Sequence, residues 1–451
     1  MKITINNKVK FFIITFLLFT ILPLIKIYNF KSSYYDFGFY LNYYKQINNE
    51  QYDLIFNYNY QIINIVITYF LKIFSIENWF IILIIIQSLA LSIPYLIFKN
   101  NLNIQIIYFL FPTIWFSALN NFHPDALVIP FIFLVNKELD QKIINEFKIL
   151  IYFIFIILIK MIFILLILGY VIILLKKKKI VSYITILFLL TYFFLLTFLD
   201  NFSKIYFLSS FLTNIDLSIN NLTNFKFLLS LLVLIFCSGF FLKPNFIKII
   251  PAAILLLFYY LYPFYHQKFY YNHYFIPLVP FFISAIENLK ILKKIKNKLL
   301  LFILLLHICF SPSPISFIFW SDFNWFYDKY TIIELFKNQK THNFIKDLNL
   351  KNKTIIIENN AQPIELFKDN NFIYNLGTKS NFLIADYIFL RSQSPFFIDD
   401  VICPNKKKIC DDQVFLEKYK KIISNIKYDF NLIFDDKSNI KIYENKKLSI
   451  K

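Results

Sequence analysis

Apolar residues in this chain come in long uninterrupted runs, not in the alternation or narrow stripes of a soluble domain. The runs fall at approximately 11–30, 59–75, 79–98, 104–119, 124–136, 147–175, 181–199, 226–242, 249–262, 273–288 and 299–317. A helix of ~20 apolar residues spans the hydrocarbon of a bilayer. Inside lipid every backbone amide and carbonyl must be paired within its own segment, so contiguous runs predict helices. A β-barrel would show apolar and polar residues alternating, and these runs do not. The pattern predicts an α-helical polytopic membrane protein of about eleven transmembrane helices. That count changes if 104–136 is one broken helix or if 147–175 is two short ones.

From about Ser321 the pattern shifts to polar sequence with short strand-like runs: Thr354–Ile357, Phe382–Ala385, Tyr387–Leu390, Leu432–Phe434 and Ile440–Tyr443. Helical stretches are expected at 331–347 and 413–426. Residues 1–320 are therefore read as the multi-pass domain and 321–451 as a small α/β domain, long enough for a core of its own.

Composition supports this division. The chain is 58% hydrophobic and only 17% charged, against the ~45–50% apolar usage of soluble domains. The 58 Phe and 31 Tyr accompany an excess of Ile, Asn and Lys. AT-rich codons produce that bias unaided, so the aromatics are read as packing and lipid-facing residues, not substrate platforms. Four glycines leave no Walker or dinucleotide fingerprint, and no HExxH is present.

The net charge is +19. The lysines gather at the ends of apolar runs: Lys8 and Lys10, Lys176 to Lys179, and Lys290, Lys293, Lys294, Lys296 and Lys298. This is the distribution of the positive-inside rule and of attraction to anionic membrane lipids. It is not the basic face of a nucleic-acid-binding domain. The run Phe11 to Ile27 follows a basic N-terminus without a small-residue cleavage site, so it is read as an uncleaved first helix with a cytoplasmic N-terminus. Carried forward, the lysines place Lys176 to Lys179, Lys243, Lys248 and 290–298 inside. Asp200 to Asn224, Tyr265 to His273 and everything after 317 then lie outside. The C-terminal domain is thus expected to be extracytoplasmic, on the outer face of the cell membrane. Cys403 and Cys410 fall in it, as a disulfide or as two thiols. Cys237 and Cys309 read as packing residues.

Ionisable groups at membrane depth are costly, so each is a functional candidate. Asp36, in SSYYDFGFY after the first helix, is either a solvated interfacial carboxylate or a base facing a substrate in the membrane plane. His123 and Asp125, in FHPD, interrupt the apolar pattern. They either cap a helix whose dipole favours Asp125 or line a polar cavity. Lys160, inside ILIYFIFIILIKMIFILLILGY, pairs with a carboxylate, holds an anionic group such as phosphate, or snorkels from a helix break. His266, Lys268, Asn272 and His273 lie in YPFYHQKFYYNHYFIPLVP, where an interfacial aromatic belt explains the tyrosines but not the histidines.

Taken in order, YYDFGFY, NNFHPDALVIPFIFL, NHYFIPLVPFFISAIENL and TIIIENNAQPIELFKDNNFIYNLG followed by ADYIFLRS resemble a predicted membrane-protein family, domain of unknown function 2079. That family is similar in fold to the GT-C glycosyltransferases of lipid-linked sugars. The resemblance covers most of the chain, and FHPD before an apolar helix is its most specific part. It implies a GT-C-like core that takes a sugar from a polyprenyl-phosphate donor, sometimes with a divalent metal. Asp36 is then the candidate general base, and His123, Asp125 and His273 are candidate cavity residues. The chain departs from the pattern in two places. Asp36 stands without an adjacent acidic residue, and Lys160-Met161-Ile162 replaces a Lys-Glu-Asp triplet. A non-catalytic lipid-binding or transport protein on the same scaffold is the alternative.

Overall fold

The structure, a computed structural model, describes residues 7–30, 32–33, 35–48, 62–98, 102–119, 122–187, 225–238, 245–261, 273–286, 296–317, 339–357, 362–363, 366, 368–373, 384–391, 428–435 and 440–448. It is mostly helical, with a small C-terminal sheet.

The chain opens on α1 (Asn7–Phe30). Ile13, Ile14, Leu17, Ile21 and Ile25 remain exposed along one side of this helix, while Phe19 is buried on the other. The buried side meets α4 (Trp79–Ser92). Ser88 Oγ donates to the Phe19 carbonyl at 2.8 Å, and Phe11 stacks on Tyr95 beyond the far end of α4. The two helices therefore run antiparallel. Between them lie β1 (Ser32–Ser33), α2 (Tyr35–Asn48) and the ten-residue α3 (Ile62–Leu71).

The next elements are α5 (Pro94–Ile97), α6 (Leu102–Phe109), α7 (Pro112–Leu119), a 3₁₀ turn at Pro124–Leu127 and α8 (Val128–Leu139). They lead to α9 (Glu146–Ile159), a 3₁₀ turn at Met161–Phe163 and α10 (Ile164–Lys176). Then come α11 (Phe225–Ser238), α12 (Ile250–Leu261), a 3₁₀ turn at His273–Leu278, α13 (Val279–Ile286) and α14 (Lys296–Phe310).

Among the described residues, Asn7–Ile25 and Ile76–Ile97 are long and apolar enough to cross a membrane. The pair α6 and α7, bent by 52°, makes a third crossing if counted as one. Other described apolar helices, Ile164–Lys176, Phe227–Ser238, Phe246–Tyr260, Phe275–Ile286 and Lys298–Phe310, are 10–17 residues long. The apolar runs at 181–199, 226–242, 249–262 and 273–288 lie partly outside the described residues. The run 147–175 is two antiparallel helices. Glu146 at the start of α9 accepts from the Val181 N–H at 2.7 Å, and Phe153 lies against Tyr170. The hairpin thus returns to the end it left, with Lys160 near its tip. Close packing of α10 on α12 rests on Gly169, where a Cβ would lie 2.3 Å from Pro251 Cα.

Side-chain and backbone contacts define two ends of the helical part. At one end Lys177 Nζ donates to the Leu139 carbonyl, Lys248 pairs with Asp140 at 2.7 Å, and the Asn245 N–H donates to the Ala285 carbonyl. At the other end lie α2, the turn Pro124–Leu127, Lys160 and the start of the span Ile76–Ile97.

The C-terminal sheet packs at this second end. Its strands β2 (Thr354–Ile357), β4 (Asn371–Ile373), β5 (Tyr387–Arg391), β6 (Phe430–Asp435) and β7 (Ile440–Asn445) run in the order β4-β2-β5-β7-β6. The first three are parallel, and β7 pairs antiparallel with β5 and β6. Successive strand residues point to opposite faces. Ile355, Ile357, Tyr387, Phe389 and Ile442 enter one apolar cluster with Tyr40, Tyr43, Tyr44 and Ile47 of α2 and with Trp79 and Leu83 of α4. Ile356, Ala385, Ile388 and Phe430 fill the other face. Helix α15 (Gln339–Asp347) lies within the expected 331–347. Ile384 and Ala385, expected in a strand, precede β5 instead. There Asp386 caps β2, accepting from the Thr354 N–H and donating its own N–H to the Thr354 carbonyl. The expected helix 413–426 and Cys403 and Cys410 lie outside the described residues.

Candidate functional site

The second end gathers three of the sequence candidates. His123 is extended (φ −139°, ψ 129°) and Pro124 starts the 3₁₀ turn behind it. Proline is suited to that first helical position, having no N–H to leave unpaired. The His123 ring caps the turn, its Nδ1 accepting from the Asp125 N–H at 3.3 Å. Asp125 thus sits in the first turn, where a carboxylate suits the dipole. FHPD is a helix start, as its simplest reading holds, and its side chains also converge on a buried site.

Asp125 is fully buried, and its Oδ2 lies 2.8 Å from Lys160 Nζ, itself 12% exposed. Lys160 reaches it because the backbone is extended at this residue (φ −159°, ψ 127°), the break between α9 and α10. A buried pair of this kind loses hydration on both ions and recovers it only with good geometry and further hydrogen bonds. His123 Nδ1 lies 3.4 Å from Asp125 Oδ1. Its Nε2 lies 3.3 Å from the Tyr40 hydroxyl, and the rings of Tyr40 and His123 meet edge-on at 5.3 Å. The His123 N–H donates to Gln87 Oε1 at 2.6 Å, and Gln87 Nε2 donates to the Ser117 carbonyl. A polar chain therefore runs from α2 through His123 and Asp125 to the tip of the α9–α10 hairpin.

The other candidates are placed as follows. Asp36 stands in the first turn of α2, one turn before Tyr40, so its backbone lies at the same end as FHPD. His273 opens the 3₁₀ turn His273–Leu278, which packs against Pro124–Leu127. His266 and Lys268 lie outside the described residues.

A divalent metal is poorly suited to Asp125, because the Lys160 ammonium already holds the cation position on its carboxylate. Among the described residues no group of three or more His, Cys, Asp or Glu side chains is arranged to hold a metal.

Sequence reasoning missed Tyr40 and Gln87. Tyr40 carried no signal among 31 tyrosines. Gln87 did, as the first polar residue after FIILIII in an apolar run.

The chain matches no protein-family model, no curated protein and no solved structure.

Proposed function

We propose that this chain is a multi-pass membrane glycosyltransferase with a GT-C-like core. It takes a sugar from a polyprenyl-phosphate donor on the outer face of the cytoplasmic membrane. The observation that carries this reading is the buried Asp125–Lys160 pair, linked through His123 and Tyr40 to the helix that begins beside Asp36. A charged pair kept in so apolar a setting is expensive, and such pairs mark functional positions.

Orientation follows from charge. Lys176 to Lys179, Lys142 and Lys248 gather at one end, which the positive-inside rule assigns to the cytoplasm. The α2 end and the C-terminal sheet then face outward. Apolar side chains left exposed along α1 are suited to lipid. The remaining apolar runs bring the count towards about eleven crossings, the short helices crossing in pairs or with their breaks.

In the reaction, the Asp36 carboxylate takes the proton of the acceptor hydroxyl. The acceptor oxygen attacks the anomeric carbon from the face opposite the phosphate, and the carbon–oxygen bond to phosphate breaks with both electrons leaving on the phosphate. Lys160, or Lys268 of the outer loop, offsets the charge that develops there. His123 and the buried Asp125 stand beside α2, next to the turn that His273 opens.

A second reading is a lipid-binding or transport protein without turnover. Asp36 standing without an adjacent acidic residue favours it, the next one being Glu50. Profiling of lipid-linked sugars in cells carrying Asp36→Asn separates the two. A deletion-like profile supports transfer, and a wild-type profile removes Asp36 from catalysis.

A further inference from the structure

The C-terminal domain is tied to the chain before α2 and at its last turn. Before α2, Ser32 and Ser33 of β1 pair antiparallel with Pro363 and Gln362 of β3 (Gln362–Pro363), the segment that follows β2. At its last turn, Lys45 Nζ donates to the carbonyls of Lys368 and Asn370 at 3.0 and 2.9 Å. Asn370 is itself fixed: its amide donates to the Leu350 and Leu366 carbonyls, and its Oδ1 accepts from the Lys353 N–H. Between these ties, Tyr40, Tyr43, Tyr44 and Ile47 share one apolar cluster with Ile355, Ile357 and Phe389. The ammonium of Lys45 is held at a burial cost that lowers its pKa. A surface lysine with no positional role would swing out to water instead.

We propose that the C-terminal sheet is a positioning module of the site. By clamping α2 at both ends, it fixes the Asp36 segment and, through Tyr40 and His123, the Asp125–Lys160 pair, with Lys45 as its main positioning residue. This rests on the reading of Asp36 as the base, but the clamp itself is a matter of geometry and is tested without turnover. The sheet therefore does not act as a tethered domain that visits the core. Its face is completed by a helix from the other half of the chain, and the two halves hold each other in register.

The test uses the full-length chain in its own membrane, with native cysteines replaced by serine and a protease site placed in 321–338. Ser33→Cys with Gln362→Cys should form a disulfide that keeps the cleaved halves together until reductant is added. Separately, the thiol introduced by Asp36→Cys should react several-fold faster with a water-soluble maleimide when Lys45→Met is added. Lys45→Arg, which retains donors for both carbonyls, should restore the slow rate. Halves that separate without reductant, or a labelling rate indifferent to Lys45→Met, would overturn the clamp. If the clamp holds and Asp36→Asn leaves the lipid-linked sugars unchanged, the transferase reading alone fails.

Discussion

The Lys160 ammonium meets the Asp125 carboxylate at 2.8 Å, although 35 residues separate them and the carboxylate is wholly buried. Removing one ion strands the other. Lys160→Met should therefore cost ~3–5 kcal/mol of stability. The double variant Lys160→Met with Asp125→Asn should recover a large part of that loss, because the stranded charge is gone. Thermal unfolding of the detergent-solubilised variants is the measurement, and equal losses in single and double variants would contradict the pairing.

Gly169 leaves α10 within backbone contact of Pro251 in α12. Small residues allow such approach between membrane helices. A methyl group here meets main chain, which cannot rotate away, so Gly169→Ala should destabilise by ~1–3 kcal/mol or more. A loss of folded protein in detergent-resistance assays is expected, with no special effect on sugar transfer in the fraction that folds.

The two faces of β2 make separable predictions. Ile355 packs in the cluster shared with α2, and Ile356 packs in the small cluster on the far side of the sheet. Each truncation to Ala should cost ~2–5 kcal/mol. Only Ile355→Ala should loosen the sheet from the helical part, seen as faster reaction of a thiol introduced by Ser33→Cys.

Lys178 closes α10 with a left-handed backbone (φ 52°). The Lys179 N–H reaches back to the Leu174 carbonyl and the Lys178 N–H to the Leu175 carbonyl, the pairing of a Schellman cap. Glycine adopts this conformation without the side-chain penalty, so Lys178→Gly should raise stability by up to ~1 kcal/mol. A fall in melting temperature would contradict the assigned cap.

How far the sequence reached depended on the range of the forces involved. Helices follow from apolar runs, and strands β2, β5, β6 and β7 follow from β-branched and aromatic runs, because both signals are local. The three-residue β4 was too short to show. The hairpin of α9 and α10 was only half legible. Lys160 marked a break, but the return to the same end depends on Glu146 meeting Val181, a contact between distant residues. The convergence of His123, Asp125 and Lys160 was equally invisible to spacing, although the cost of burying each charge had singled out all three. The dependence of the C-terminal sheet on α2 had no local sign: the stretch after Asp36 reads as a polar loop to about Asn59, whereas a helix forms at Tyr35–Asn48 and shares its apolar cluster with Ile355 and Phe389.

The central claim is that the buried cluster and the C-terminal sheet lie at the outward end of a membrane-crossing bundle, with the lysine-rich end in the cytoplasm. Its most direct test is labelling of intact cells with a membrane-impermeant maleimide, in chains whose four native cysteines are serine. Lys368→Cys, in the turn before β4 and beside Glu77, should label in intact cells. Lys142→Cys, between α8 and α9, should label only after the membrane is permeabilised. Labelling of Lys142→Cys but not Lys368→Cys in intact cells would contradict the account.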